Sequence, residues 1–292
     1  MGVFRAKGSL NMRLLRRTKT VVLILLVAFS LTGCFRRGRR NDAPTTPGAV
    51  KKPPRGRAQK AKALVDFGTI SGQMGKLKEA KKYFQEAIRH DPTNPEAHHG
   101  LGLVYAKMEQ IHGAIPEFQK AIELNPRYSD AFCNLGLAYM KIQQEQLAFE
   151  KWQMSLKVNR NHGPTHLALG EYYKSKKDNR NAVVHLLEAI RIMPKAHEPH
   201  ELLAFIYLDQ RLHRSAAPEL QEVLKLAPKK SLSYKRALYA LGTVYHNENM
   251  LDKAAALYGK LLELEKHNVR ALINLGSINF QRGELEKARM HF

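Results

Sequence analysis

From Ala61 onward the sequence repeats with a period of 34 residues, and this period constrains the fold more than any other feature. The clearest copy runs from Pro95 to Tyr128. Most of its characteristic residue types return at the same spacing before and after it; they are Leu101, Gly102, Tyr105, Ala114, Phe118, Ala121 and Pro126. Such a period is typical of helical hairpins that stack in one dimension. The sequence therefore predicts an all-α chain built as an α-solenoid.

The spacing resembles the tetratricopeptide repeat, a pair of antiparallel helices called A and B. That family places Leu-Gly at positions 7 and 8, Tyr at 11, Ala at 20 and 27, an aromatic residue at 24 and Pro at 32. The resemblance implies a right-handed superhelix, with Ser231–Tyr234 inserted before the sixth repeat. It divides the chain into repeats 61–94, 95–128, 129–162, 163–196, 197–230 and 235–268, with a partial repeat at 269–292.

The N-terminal residues have the pattern of a targeting segment. Basic residues follow Met12, which we expect to be the true start, and the nine apolar residues from Val21 to Phe29 come next. This stretch is too short for a membrane-spanning helix, which needs roughly twenty residues, and suits a signal peptide. Residues 1–33 are therefore predicted to be a signal peptide.

Leu31-Thr32-Gly33-Cys34 resembles the lipobox of bacterial lipoproteins. That resemblance implies that Cys34 is acylated and becomes the new N-terminus, and Phe35 after it favours the outer membrane over the inner one. The expected location is the periplasmic side of the outer membrane. The alternative is an ordinary signal peptide with an incidental cysteine.

Residues 34–60 are rich in Pro, Gly, Arg and Lys and have few large apolar side chains, which predicts a tether without its own core. Its basic residues either lie against anionic headgroups or only keep the tether extended in solvent. Most of the formal charge of +22 sits in the first 62 residues, where sixteen basic residues face the single acidic Asp42. A nucleic-acid-binding domain would carry its excess charge on a folded face, so we expect no nucleic-acid partner.

No catalytic or metal-binding constellation stands out. His98, His166 and His200 all occupy position 4 of helix A, where the family has a large packing residue, so we interpret them as packing side chains. Cys133 lies on a helix A, with nothing nearby that predicts thiolate activation. We therefore expect no metal, cofactor or small-molecule substrate, and no enzyme activity, because a solenoid of this length leaves no room for a catalytic domain.

The resemblance also implies a concave face, lined by helix A residues at positions such as 5, 6 and 9. In this chain that face is mixed and rather apolar, which suits a segment of another protein. The alternative is that these side chains only form the inner packing surface. The candidate groove residues are His99, Leu103, Cys133, Asn134, Leu137, Leu167, Glu171, Phe205, Tyr239 and Asn274.

A lipobox, a short tether and about six repeats together resemble the type IV pilus biogenesis lipoproteins of the PilF/PilW/Tgl type. That resemblance implies a pilotin, which brings secretin subunits to the outer membrane and promotes their assembly. The alternative is an envelope scaffold that organises peptidoglycan hydrolases or synthases. Both predict a protein partner and an acyl membrane anchor.

Overall fold

The computed structural model describes residues 55–291, and that part of the chain is helical, with no β-strand. No helix within this range is both long and apolar enough to cross a membrane. The predicted signal peptide, Cys34 and residues 34–54 of the predicted tether lie outside the described residues. The helices are α1 (Arg55–Gln73), α2 (Leu77–His90), α3 (Pro95–Lys107), α4 (Ile111–Leu124), α5 (Ser129–Lys141), α6 (Glu145–Val158), α7 (Gly163–Ser175), α8 (Asn179–Ile192), α9 (Glu198–Asp209), α10 (His213–Leu226), α11 (Leu232–Asn247), α12 (Leu251–Leu264), α13 (Val269–Gln281) and α14 (Leu285–His291).

Odd-numbered helices are the A helices of successive hairpins and even-numbered helices are the B helices. Within each compact unit the hairpins pack against their neighbours in sequence, as α3 does with α4 and α2. The predicted class, an α-solenoid of tetratricopeptide hairpins, is confirmed. The chain forms two compact units that divide between Thr165 and His166.

In most hairpins the core is a large side chain from helix B that fills the space left by a glycine on helix A; in the fifth repeat the small residue is Ala204. In the third repeat these residues are Trp152 on α6, 1% exposed, and Gly136 on α5. A Cβ atom on Gly136 would lie 3.0 Å from the backbone oxygen of Ala148, and closer still to the Trp152 ring. Phe84, Phe118, Leu186, Leu220 and Tyr258 fill the equivalent position elsewhere and are equally buried.

The turn between helices A and B has the same backbone conformation in every repeat. One residue of each turn has a positive φ, and in most repeats it lies 34 residues after the equivalent residue of the repeat before. This residue is glycine at only two of the turns, Gly75 and Gly283. In the second repeat it is Glu109, at φ 60°. The Gln110 amide then donates to the carbonyl of Tyr105 at 2.9 Å, which closes the helix end.

Helix α1 begins earlier than the sequence predicts. Residues 55–60 were assigned to the tether, but they form the first turns of α1. Arg, Ala, Gln and Lys are good helix formers. The first turns of α1 can therefore stay helical while exposed to solvent, because the later turns of the same helix are stabilised by packing. Composition alone does not distinguish a solvent-exposed helical turn from a tether, so the sequence did not show where α1 begins.

The insertion Ser231–Tyr234 extends a helix instead of forming a loop. Helix α11 is 16 residues long, starts at Leu232, and is capped by Ser231, whose Oγ accepts from the Tyr234 amide at 3.2 Å. Four residues are close to one helical turn of 3.6 residues, so the insertion keeps the buried face of α11 in register.

Candidate functional site

The predicted groove residues of the first unit are buried side chains. His99 is 4% exposed, Leu103 2%, Cys133 0%, Asn134 0% and Leu137 5%. They lie in the seam between the neighbouring A helices α3 and α5, where Asn134 contacts His99 across the two helices. A partner could not reach them, so these five residues form an inner packing surface rather than a groove.

This seam is polar at its centre. The amide Nδ2 of Asn134 donates to Nε2 of His99 at 2.8 Å, and Nδ1 of His99 bonds to the Tyr128 hydroxyl at 3.0 Å. Burial lowers the pKa of His99 to about 4, so its ring is neutral and can accept from Asn134. Oδ1 of Asn134 is buried without a hydrogen-bond partner among the described residues. These hydrogen bonds specify how α3 meets α5.

A Ser, a His and an Asp also meet in the first unit, in an arrangement that superficially suggests catalysis. His162 contacts Asp130 Oδ1 through Nε2 at 3.1 Å and Thr165 Oγ1 through Nδ1 at 2.7 Å. Ser155 donates its hydroxyl to the backbone oxygen of Ser129 at 2.9 Å and is fully buried. The Ser155 hydroxyl oxygen also lies 3.5 Å from Nδ1 of His162. Because that nitrogen makes its shorter contact with Thr165 and the Ser155 side chain is fully buried, we interpret the network as structural.

The charge state of His162 follows from its partners. Burial by itself lowers the pKa of His162, but hydrogen bonds with Asp130 and Cys133 outweigh it and raise the pKa to about 9. Burial, the largest influence on the Asp130 carboxyl, would raise its pKa, but the hydrogen bond to His162 and the Coulombic attraction of His162 and His99 together lower it. The pair is therefore an imidazolium and a carboxylate at neutral pH, and it holds the end of the third repeat on the start of α5.

The position-4 histidines are buried, and each bonds to the residue 19 positions later, on helix B. His98 pairs with Glu117 at 2.7 Å and His200 with Glu219 at 2.6 Å, between Nδ1 and Oε2 in both cases. His166 instead meets His185, with 3.0 Å between their Nδ1 atoms. Residues 55–291 contain no group of three or more His, Cys, Asp or Glu side chains placed to hold a metal ion.

The second unit, by contrast, has an open pocket of about 560 Å³. Two of the predicted groove residues, Phe205 on α9 and Tyr239 on α11, line it. Leu208 and Val244 complete its apolar wall, and Leu232, on the extra turn of α11, forms part of its edge. The inserted residues thus help to build the pocket.

The remaining predicted residues of the second unit lie outside this pocket lining. Leu167 is buried in the core with Leu186 and Leu202, and Glu171 is half-buried on α7. Asn274 lies behind Tyr239 and donates to the hydroxyl of Tyr258 at 3.1 Å and to that of Tyr239 at 3.5 Å. Asn274 therefore contacts an aromatic side chain of the pocket without itself being among the lining residues.

Three basic residues line the pocket, and the sequence prediction missed them. Lys235 pairs with Glu265 at 3.0 Å, and Arg236 lies 3.1 Å from Oε1 of Glu201. Arg270 has no ion-pair or hydrogen-bond partner within the described part of the chain. Arg236 and Arg270 both fall at position 2 of helix A, so reading position 2 across the repeats would have found them.

The pair between Arg236 and Glu201 is unusual because the carboxylate is 3% exposed. Oε1 of Glu201 accepts no hydrogen bond despite the short distance, so the attraction to Arg236 is Coulombic. The guanidinium also lies 4.9 Å from the ring centre of Phe205, and Nζ of Lys174 lies 5.5 Å from the same centre. Burial lowers the pKa of Lys174. Cations therefore flank the aromatic floor of the pocket.

Comparisons with known proteins agree with this architecture. A TPR repeat model matches residues 72–109 and 107–143, and a tetratricopeptide repeat model matches residues 202–264 and 247–292. No curated protein sequence matches the chain.

Several solved structures share the fold at low sequence identity. Pseudomonas aeruginosa pilF has a TM-score of 0.66 and 17% identity, covering 78% of this chain and all of that one. A chain of the APC/C heterotetramer Cut9-Hcn1 has a TM-score of 0.63 and 20% identity over 75% of this chain. This chain spans only 43% of that second relative. At such identities the likeness shows the fold alone.

Proposed function

Because this chain carries tetratricopeptide repeats, which bind other proteins, we propose that it is a binding scaffold whose pocket in the second unit holds a partner segment. The observation that carries this proposal is the contrast between the units. The candidate groove residues of the first unit are sealed in a seam, whereas Phe205 and Tyr239 line an open pocket of about 560 Å³. An apolar pocket with a few polar groups at its edge is the usual form of such a site.

We further propose that the scaffold is a lipid-anchored pilotin that helps an outer-membrane secretin to assemble. The lipobox residues Leu31–Cys34 and the fold shared with Pseudomonas aeruginosa pilF support this proposal. Acyl chains on Cys34 would confine the solenoid to the periplasmic face of the outer membrane, since each buried methylene contributes about 0.8 kcal/mol. Confinement raises the effective concentration of the captured segment, so assembly is promoted without any chemical step.

The anchor is tested by Cys34→Ala. We expect the wild-type protein in the outer-membrane fraction and the variant in the soluble periplasmic fraction, because removal of the acyl chains removes the anchor. Fractionation followed by immunoblotting measures this. Cys133→Ala is the matched control and should stay in the membrane fraction, since its thiol is buried in the first unit. Retention of the Cys34→Ala protein in the outer membrane would show that the anchor is elsewhere.

The pilotin role is tested in a deletion strain. We expect loss of heat-resistant secretin multimers on gels, with normal cell shape, and restoration by the wild-type gene. A gene carrying both Phe205→Ala and Tyr239→Ala should fail to restore multimers although its protein accumulates normally, because the pocket loses its aromatic walls. Intact multimers combined with a division or cell-wall defect would instead identify a scaffold for peptidoglycan enzymes.

A further inference from the structure

The charges around the pocket identify the chemistry of the segment it takes. Resting on the protein-binding function proposed above, we infer that the pocket of the second unit binds a partner segment in which acidic side chains alternate with large apolar ones. The apolar side chains would lie on Phe205, Leu208 and Tyr239, and the carboxylates would meet Arg236 and Arg270.

Cations outnumber carboxylates on the pocket lining. Lys235, Arg236 and Arg270 line it, and the one carboxylate among the lining residues is that of Glu265. Glu265 is already engaged, since it pairs with Lys235 at 3.0 Å and accepts from Asn268 at 2.8 Å. The second carboxylate nearby, Glu201, is buried beneath Arg236. Among the lining residues, positive charges therefore outnumber negative ones.

The two arginines retain unused donors. A guanidinium has five N–H groups, yet neither Arg236 nor Arg270 donates a hydrogen bond within residues 55–291. Both occupy position 2, on the successive A helices α11 and α13, and both line the pocket. A planar guanidinium binds carboxylates in a two-pronged geometry, which makes acidic side chains the matching ligand.

The apolar residues of the pocket lining explain why the bound segment would also carry large apolar side chains. Phe205, Leu208, Tyr239 and Val244 line the same pocket as the arginines. Side chains of an extended segment point alternately to opposite sides, so alternating acidic and aromatic residues would reach the arginines and the apolar wall in turn. A volume of about 560 Å³ accommodates a few residues of such a segment.

The test uses three labelled peptides with blocked ends, so that no terminal carboxylate or amine contributes. They are (Glu-Phe)₃, (Lys-Phe)₃ and (Glu-Ser)₃, and binding to the full chain is followed by fluorescence anisotropy. We expect (Glu-Phe)₃ to bind about tenfold more tightly than either of the others, and its affinity to fall with added salt. Arg270→Gln should weaken (Glu-Phe)₃ about fivefold, since it removes one charge-assisted contact.

Two controls separate the pocket from general attraction to a basic protein. Lys260→Gln removes the same charge from an exposed position on α12 outside the pocket and should leave the affinity unchanged. Hexathymidylate carries more negative charge than (Glu-Phe)₃ and should bind more weakly; equal or tighter binding would overturn the proposal in favour of nucleic acid.

The remaining outcomes distinguish this inference from the function on which it rests. If (Glu-Phe)₃ and (Lys-Phe)₃ bind equally and Tyr239→Ala abolishes both, the pocket binds protein segments but does not select acidic ones. If Arg270→Gln and Lys260→Gln have the same effect, the attraction is general and the inference fails. If none of the three peptides binds, both the inference and the pocket's role as a protein-binding site fail.

Discussion

Replacing Trp152 with alanine is expected to destabilise the third repeat by about 3–5 kcal/mol, the usual cost of removing a large buried aromatic side chain. The ring is 1% exposed and covers Gly136, and its Nε1 donates to the backbone oxygen of Cys133 at 3.2 Å. The variant leaves a cavity where helices α5 and α6 cross, and this crossing can collapse only slightly because Gly136 already brings the backbones close. Hydrogen exchange measured by mass spectrometry would locate the loss.

The loss should be local because each repeat contacts mainly its neighbours in sequence. Amides of α5 and α6 should lose protection, while those of α11 and α12 keep theirs. Met154→Ala on the same helix is the matched control and should change little, since Met154 is 41% exposed. Trp152→Phe should be milder, because Phe fills this position at Phe84 and Phe118. A Trp152→Ala protein that exchanges like Met154→Ala would show that this packing does not hold the repeat.

The second large effect is expected from Arg236→Ala, which leaves the buried Glu201 carboxylate without its counterion. Removing one partner of a buried pair typically costs 3–5 kcal/mol. The Arg236 side chain is 33% exposed, so solvent screens part of the charge and we expect about 2–3 kcal/mol. Urea unfolding of the full chain, followed by hydrogen exchange on α9 and α11, would measure it.

A double-mutant cycle isolates the cause. Glu201→Gln should recover much of the stability lost in Arg236→Ala, because a neutral amide is less costly to bury than an unpaired carboxylate. Lys235→Ala is a useful comparison, since its partner Glu265 is 37% exposed and keeps its bond to Asn268. We expect Lys235→Ala to cost below about 1 kcal/mol. Additive effects of Arg236→Ala and Glu201→Gln would show that the two charges are not coupled.

The fold was predictable because its determinants are local and periodic. Glycine recurs at the position of Gly136 in most repeats, and the position of Trp152 holds a Phe, Leu or Tyr in the others, so the sequence alone indicates that a small residue on helix A faces a large one on helix B. The insertion Ser231–Tyr234 was visible as a change of phase, but the sequence did not show that it lengthens α11. That outcome depends on Ser231 capping the extra turn, which a repeat pattern does not encode.

The candidate site was predictable only in part. The repeat spacing predicted that His99, Cys133, Phe205 and Tyr239 lie on equivalent faces of their A helices, and of these Phe205 and Tyr239 line the pocket. The position of a residue within the repeat does not show whether the space between neighbouring A helices is a closed seam or an open pocket. In the first unit His99 and Asn134 bridge α3 and α5, whereas in the second unit Phe205 and Tyr239 leave space between them.

The sequence by itself thus determined that residues 61–291 form helical hairpins, because a 34-residue pattern of small and large side chains is typical of paired helices that cross closely. Only the tertiary structure decided where a partner can enter. Accessibility depends on the distance between side chains that lie about one repeat apart in the chain, and on buried partners such as Glu201 that hold Arg236 at the pocket. Those interactions are set when the hairpins stack, and no single repeat contains them.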